Sequence, residues 1–274
     1  MEARKLDFIS LTKNLEINER AFKYEMSVSA PPTKRYVVFF VARSGSTWLT
    51  SILSATNLLG YPEEYFNPEF VQDVARSLNA KTPDTFISML QRRRKSDNKI
   101  FGVEVRAIDV ELFGTLDFFS RFESETIFFN LWRKNILAQA ISLYRAVLTG
   151  RFHSNDGKEE QIAASYDAEA IKKWLNHLAE QENSNISMLQ QQQKLFTNLC
   201  YEVIVKDRTG TIQLFADKLG VNRDTFEIIK KENEDIQKIG DRWNAEAEQR
   251  FRSEHSDFLV RIEKSRLIRQ YENF

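Results

Sequence analysis

The chain has 274 residues, and its 39 Lys plus Arg balance 39 Asp plus Glu to a formal net charge of zero. That balance excludes a protein that wraps nucleic acid or carpets an anionic membrane, so any anion chemistry must come from locally placed arginines. A single cysteine, Cys200, excludes a disulfide framework and a Cys-rich zinc site, and His153, His177 and His255 lie too far apart for metal-ligand spacing, so no metal is expected.

No apolar run reaches the length of a membrane span or a signal peptide, which predicts a soluble, cytoplasmic chain with no membrane span, and the zero net charge predicts no nucleic-acid partner. Residues 1–34 are charged and end in "APPTK", where Pro31 and Pro32 break any helix. They read as an N-terminal extension, and residues 35–274 as one domain. "RYVVFFVA" (35–42) is short, continuous and rich in β-branched and aromatic residues, the pattern of a buried strand. After "RSGST", Trp48, Leu49, Ile52, Leu53, Ala55 and Leu59 recur at helical spacing up to Gly60. "YPEEYFNPEF" (61–70), with two prolines, reads as a loop. "TPDTFISMLQRRRK" reads as a helix with Thr82 as its cap and Pro83 in its first position.

"KIFGVEV" (99–105) and "ETIFFNLW" (125–132) read as further strands. The latter ends at Arg133 and runs into a helix whose Leu137, Ile141, Tyr144 and Leu148 form an apolar stripe. Gln139, Ser142 and Arg145 mark a polar stripe on the same helix. "RFHSNDGKEE" (151–160) is loop-like, and a long helix is predicted from Ala170 to about Leu195. "CYEVIVK" (200–206) reads as a fourth strand, "TGTIQLFADKLG" (209–220) as a helix stopped by Gly220, and the charged last forty residues as terminal helix. Strands alternating with helices predict an α/β fold with a mostly parallel central sheet flanked by helices on both faces. Ligands of such sheets sit beyond the C-terminal strand ends, where "RSGST" and "RKN" both fall.

A strand-to-helix turn presents backbone N–H groups at the positive end of the helix dipole, which favours an anion. In "RSGST", Ser44, Ser46 and Thr47 add hydroxyl donors, Gly45 allows close backbone approach, and Arg43 adds a planar guanidinium suited to phosphate or sulfate oxygens. The same Ser and Thr would also serve as plain helix caps. The loop is not a Walker A motif, which needs G-x-x-x-x-G-K-[ST]. A P-loop phosphotransferase and a non-catalytic nucleotide-binding protein remain the alternative readings.

"FVARSGSTWLTSIL" resembles the 5′-phosphosulfate loop of sulfotransferases, which take a sulfuryl group from 3′-phosphoadenosine 5′-phosphosulfate (PAPS). "GYPEEYF" and "LWRKNILAQAISLYRAVLTGRFHS" are similar to segments of the bacterial trehalose 2-sulfotransferase family, as are "YEVIVKDRTGTIQLFADKLGV" and "DRWNAEAEQRFRSE", all in the family's order. The resemblance implies a P-loop-like three-layer sandwich. It also implies PAPS as donor, 3′,5′-ADP as product, a carbohydrate or glycolipid acceptor and no metal, and it allows a homodimer. Residue by residue, Arg43, Ser44, Gly45, Ser46 and Thr47 match the 5′-phosphosulfate loop, and Arg133 and Ser142 match the pair that binds the 3′-phosphate. Glu64 matches the catalytic base, with Glu63 as its neighbouring candidate, and Arg43 would stabilise charge on the leaving phosphate oxygen. Tyr65, Arg106, Arg151 and His153 are the remaining candidates for contact with the acceptor. Two departures stand out: Glu104 occupies a position where the family usually carries a lysine, and Phe152 one where tryptophan is common.

Overall fold

The computed structural model describes residues 7–122, 125–150, 165–222 and 242–271. In chain order the helices before the sheet are α1 (Phe8–Thr12) and α2 (Glu19–Val28). Then come β1 (Lys34–Phe39), α3 (Ser46–Ser54), α4 (Val71–Ser77), α5 (Pro83–Arg93), β2 (Ile100–Val105), α6 (Ala107–Phe113) and α7 (Thr115–Arg121). The second half runs β3 (Thr126–Trp132), α8 (Ile136–Thr149), α9 (Ala168–Gln191), β4 (Phe196–Cys200), α10 (Tyr201–Ile204) and α11 (Arg208–Leu219). It closes with α12 (Arg242–Glu254), α13 (Ser256–Ser265) and a 3-10 turn at Leu267–Tyr271.

The four strands form one sheet in the order β2-β1-β3-β4, and every pairing is parallel. The two-residue alternation of each strand sorts its side chains onto two buried faces. Val37, Phe39, Phe101, Val103 and Phe128 pack with Phe66, Phe86, Phe113 and Phe118 on one face. Tyr36, Val38, Phe129, Leu131 and Leu199 pack under α3 and α11 on the other. A further layer joins α8, α9, α12 and α13 through Ile141, Leu175, Phe251 and Ile262. The fold is therefore mixed α/β, an all-parallel sheet flanked by helices, as the strand and helix pattern predicts. Among the described residues no helix is long and apolar enough to cross a membrane.

Local signals hold where the chemistry is local. Thr82 and Thr85 form a reciprocal cap, with Pro83 in the first turn, and Gly150 and Gly220 end α8 and α11 in left-handed conformation. The fourth strand differs. It lies at Phe196–Cys200, and most of the apolar run read as strand is the short helix α10. Short apolar runs do not distinguish strand from buried helix, and here pairing decides. Residues 196–200 lie opposite 128–132 in register, and Asn130 Nδ2 donates to Asn198 Oδ1 at 3.0 Å. No helix runs through Pro31 and Pro32, as expected, but residues before them form α1 and α2, and Phe8 is 1% exposed and packs on Phe86 and Phe113.

At the C-terminal edge of the sheet, Asn185 of α9 ties two strands together. Its Nδ2 donates to the Phe40 carbonyl and its Oδ1 accepts from the Ala107 N–H, each at 2.8 Å. This clamp, fully buried, fixes the strand ends from which the site grows.

Candidate active site

The turn after β1 is built from two left-handed residues, Arg43 at φ 62° and Gly45 at φ 94°. Turns of this kind gather successive backbone N–H groups into an anion-binding concavity. Gly45 is also the N-cap of α3, so no side chain caps the first turn of that helix, and no acidic residue stands in it. Ser44 is fully buried, and its Oγ has no hydrogen-bond partner. The glycine is required twice over. A Cβ at position 45 would stand 2.2 Å from the ring of Tyr201, besides forcing a side chain into the left-handed region.

The segment after β3 folds onto this turn. The Arg133 guanidinium lies over the Tyr201 ring, 4.9 Å from its centre, and its Nη1 donates to the Arg43 carbonyl at 3.3 Å. Its Nε is buried without a hydrogen-bond partner, with Glu202 Oε1 3.7 Å away. Ser142 Oγ, on α8, accepts from Arg43 Nε at 3.0 Å, and Gln139 Nε2 donates to the Ala42 carbonyl at 2.7 Å. Arg43, Arg133 and Ser142, read from separate stretches of sequence, thus converge. Burial lowers the Arg43 pKa from the usual arginine value, and the neighbouring Arg133 charge lowers it further. Two guanidinium groups that disfavour one another are relieved by an anion between them.

Three supports of this cluster carry no local sequence signal. Tyr201 and Glu202 fall within the run read as strand, and α10 turns them back toward the site. The Glu202 carboxylate accepts from the N–H groups of Lys134 and Asn135 at 2.8 and 3.0 Å. Burial pushes its pKa up, but those N–H donors outweigh burial and hold it below the usual carboxylate value. Arg266 is fully buried and pairs with Glu182 at 2.8 Å. Its Nη2 donates to the Arg133 carbonyl at 2.7 Å, so the C-terminal segment fixes the backbone that carries Arg133.

Beside the turn lies a cavity of about 270 Å³. Thr47 and Thr50 of α3 line one side, Glu63, Glu64 and Tyr65 of the loop another, and Glu104 of β2 lines it as well, with Phe70 and Val74 adding apolar wall. Glu64 Oε2 accepts from Asn67 Nδ2 at 3.0 Å. Tyr65 is buried and donates to the Tyr61 carbonyl at 2.7 Å, and burial raises its pKa well above the ordinary phenol value. Glu104 sits opposite Val38 in the ladder and is 3% exposed. Burial pushes its pKa up to about 8, the Glu64 and Glu63 charges push the same way, and the Thr50 hydroxyl pulls against them.

Arg106 is turned to its own helix. Its Nε and Nη2 donate to the two carboxylate oxygens of Asp109 at 2.8 and 2.7 Å. Burial alone would lower its pKa, but the Asp109 bonds outweigh burial and raise it. Arg151 and His153 lie outside the described residues. Among the described residues no cluster of three or more His, Cys, Asp or Glu is suited to a metal ion.

Comparison with known proteins shows the family. The chain is similar to trehalose 2-sulfotransferase of Mycobacterium tuberculosis (strain ATCC 35801 / TMC 107 / Erdman). The two are 22% identical over 232 residues, covering 68% of this chain and 84% of that protein. Among solved structures it resembles the sulfotransferase domain from the Synechococcus PCC 7002 olefin synthase, with a TM-score of 0.49, 13% identity and coverage of 86% of this chain and 96% of that one. The model of the Stf0 sulphotransferase family matches residues 35–254, which take in the turn after β1, the carboxylate loop and the Arg133 segment. The chain belongs to the Stf0 sulphotransferase family, and its chemistry is sulfuryl transfer.

Proposed function

We propose that the protein transfers a sulfuryl group from PAPS to a hydroxyl of a carbohydrate or glycolipid acceptor. The observation that carries this reading is the meeting of Arg43, Arg133 and Ser142 at the uncapped start of α3, directly beside a cavity that holds Glu64. The residues fit such a donor. The buried, unpartnered Ser44 Oγ and Arg133 Nε offer hydrogen bonds that the protein itself does not satisfy. The donor has two anionic ends, and supplies the sulfuryl group while 3′,5′-ADP departs.

The turn from Arg43 to Thr47 would hold the 5′-phosphosulfate, with Arg43 stabilising charge on the leaving phosphate oxygen. Arg133 and Ser142 would hold the 3′-phosphate. Glu64 takes the proton of the acceptor hydroxyl as that oxygen attacks sulfur, and Asn67 holds the carboxylate in place meanwhile. A carboxylate is a weak base for a sugar hydroxyl, so Glu64 acts late in the step and by orienting the oxygen in line. Sulfuryl transfer, like phosphoryl transfer, depends mainly on such positioning and charge stabilisation. The trehalose acceptor in the name of the mycobacterial relative supports a carbohydrate acceptor here.

Calorimetry with 3′,5′-ADP, followed by incubation with PAPS and a panel of glycans, tests the reading. Binding of 3′,5′-ADP, weakened in Arg133→Ala, and release of a sulfated glycan are the expected results. Absence of heat with 3′,5′-ADP on folded protein, or Mg-dependent ATP turnover without PAPS binding, would overturn it.

A further inference from the structure

The cavity beside the donor turn has an unusual electrical character. Three carboxyl groups line it, Glu63, Glu64 and Glu104, and no basic side chain does. Arg106 is bonded to Asp109, although its charge also reaches Glu64, and Arg94 lies over the Tyr65 ring, 5.6 Å from its centre. Glu104 is more than nine-tenths buried, lines the cavity, and its Oε1 has no hydrogen-bond partner. Thr50 Oγ1, from the opposing helix, is likewise buried with no hydrogen bond of good geometry, though it stands near enough to the Glu104 carboxyl to pull its pKa down. A buried carboxyl oxygen left unmet costs about 1–3 kcal/mol, and native structures rarely leave such a group without a partner, be it protein, water, an ion or a ligand.

The donors in the wall are hydroxyls such as those of Thr47 and Thr50, with no basic side chain among them. A ligand hydroxyl brings one O–H; an ammonium brings three N–H groups and a positive charge. An ammonium could meet the Glu104 and Thr50 oxygens and offset the charge that Glu104 would add beside Glu63 and Glu64 on ionising. The carboxyls do not form a metal-binding arrangement, which leaves an organic cation. The cavity volume lies near the small end of ligand sites, suited to a sugar-sized group.

We propose that the acceptor carries a protonated amine as well as the hydroxyl to be sulfated, and that Glu104, with Thr50 and Glu63, binds that amine. The substrate class is thus an amino sugar or amino polyol, and the inference rests on reading this cavity as the acceptor site. Glu104 acts as the specificity-determining residue while Glu64 handles the hydroxyl proton. The groups that face Glu104 are Glu63 and Glu64 from the loop, Thr50 from α3 and Tyr36 from β1. Burial keeps the Glu104 carboxyl protonated at neutral pH in the free protein, so an incoming ammonium would ionise it and release its proton.

Glucamine and glucitol make a matched pair of probes, differing only in an ammonium in place of one hydroxyl. Titration of the 3′,5′-ADP-saturated protein at pH 7, in two buffers of different ionisation enthalpy, reads affinity and proton release together. We expect glucamine to bind at least about tenfold more tightly than glucitol, the effect of a hydrogen bond to a charged group. Its binding should release about one proton. Glu104→Gln should bring the two affinities level and abolish the release, while affinity for 3′,5′-ADP stays at the wild-type value. Equal or tighter binding of glucitol, no measurable binding of glucamine, or an undiminished preference in Glu104→Gln would overturn the proposal. Failure to bind 3′,5′-ADP would count against the donor assignment alone, since the same titration reads the amine preference on nucleotide-free protein.

Discussion

The proposed donor and acceptor halves of the site are built on opposite plans. In the donor half, cations are held by neighbours at known distances: Arg43 by Ser142, and Arg133 by the Tyr201 ring and the Arg43 carbonyl. Its backbone is locked by left-handed residues and braced from below by Arg266. In the acceptor half, carboxyl groups crowd a cavity, and Glu104 keeps an oxygen without a partner. The first arrangement suits one invariant anion. The second leaves unmet polar groups whose chemistry defines what may enter, so variation in a single wall residue would alter acceptor choice without disturbing donor binding.

The sharpest way to break this division is Glu64→Gln. If Glu64 belongs to the acceptor half as its base, kcat should fall by about 10²–10⁴. Affinity for 3′,5′-ADP, measured by calorimetry, should stay unchanged. Near-normal turnover would remove Glu64 from the chemistry, and a parallel loss of nucleotide affinity would merge the two halves.

The next largest effect is on stability and follows from Glu104. Its carboxyl has an ordinary pKa of 4.5 when the chain unfolds and about 8 when folded. The folded state therefore binds its proton more tightly. The resulting stability is fully present below pH 4.5, is lost as pH rises from there through about 8, by up to about 1.4 kcal/mol per pH unit, and changes no further above that. Glu104→Gln cannot titrate. Its Tm relative to wild type should accordingly rise from pH 5 to about pH 8 and level off above that. A difference between the two proteins that does not vary with pH would mean that Glu104 is ionised in the fold.

The two halves were also unequally legible in the sequence. "RSGST" points to an anion site on its own, because backbone geometry, helix start and charge all lie within five residues. Arg133 was readable because it closes an apolar strand. By contrast Tyr201 and Glu202 were hidden inside a run of strand-like composition, and only pairing of Phe196–Cys200 with β3 turned them into a short helix beneath the turn. Arg266 and Glu182 lie 84 positions apart, and nothing local distinguishes a buried ion pair from two surface charges. Glu104 was visible as an oddity in an apolar strand. Its meaning depends on Thr50, Glu63 and Glu64 meeting it across the fold, which no spacing along the chain encodes.

Gly45→Ala tests whether the donor turn is as rigid as its dihedrals imply. The left-handed φ and the contact with Tyr201 together should cost about 2 kcal/mol or more. For a chain of this size that corresponds to a Tm lower by about 4–8 °C. Adding Tyr201→Ala should recover part of the loss, since it removes the contact but not the backbone strain. An unchanged Tm in the single variant would show that the turn adapts, and the contrast with the acceptor half would weaken.

The smallest effect, and the one that refines the donor half most, is Ser142→Ala. Its hydroxyl accepts from Arg43 Nε, so its loss should cost about 1 kcal/mol, or roughly fivefold in affinity for 3′,5′-ADP. A double-mutant cycle with Arg43→Lys, which has no Nε donor, separates two ways of producing that loss. If Ser142 acts by orienting Arg43, its removal should cost almost nothing once Arg43 is replaced. If it also holds the nucleotide directly, as the pairing with Arg133 in the proposed 3′-phosphate site requires, part of the loss should persist in the Arg43→Lys background. We expect the second outcome, because Ser142 Oγ can still donate its own hydrogen while accepting from Arg43. Full additivity of the two substitutions would show that the hydrogen bond between them contributes nothing to how the donor is held.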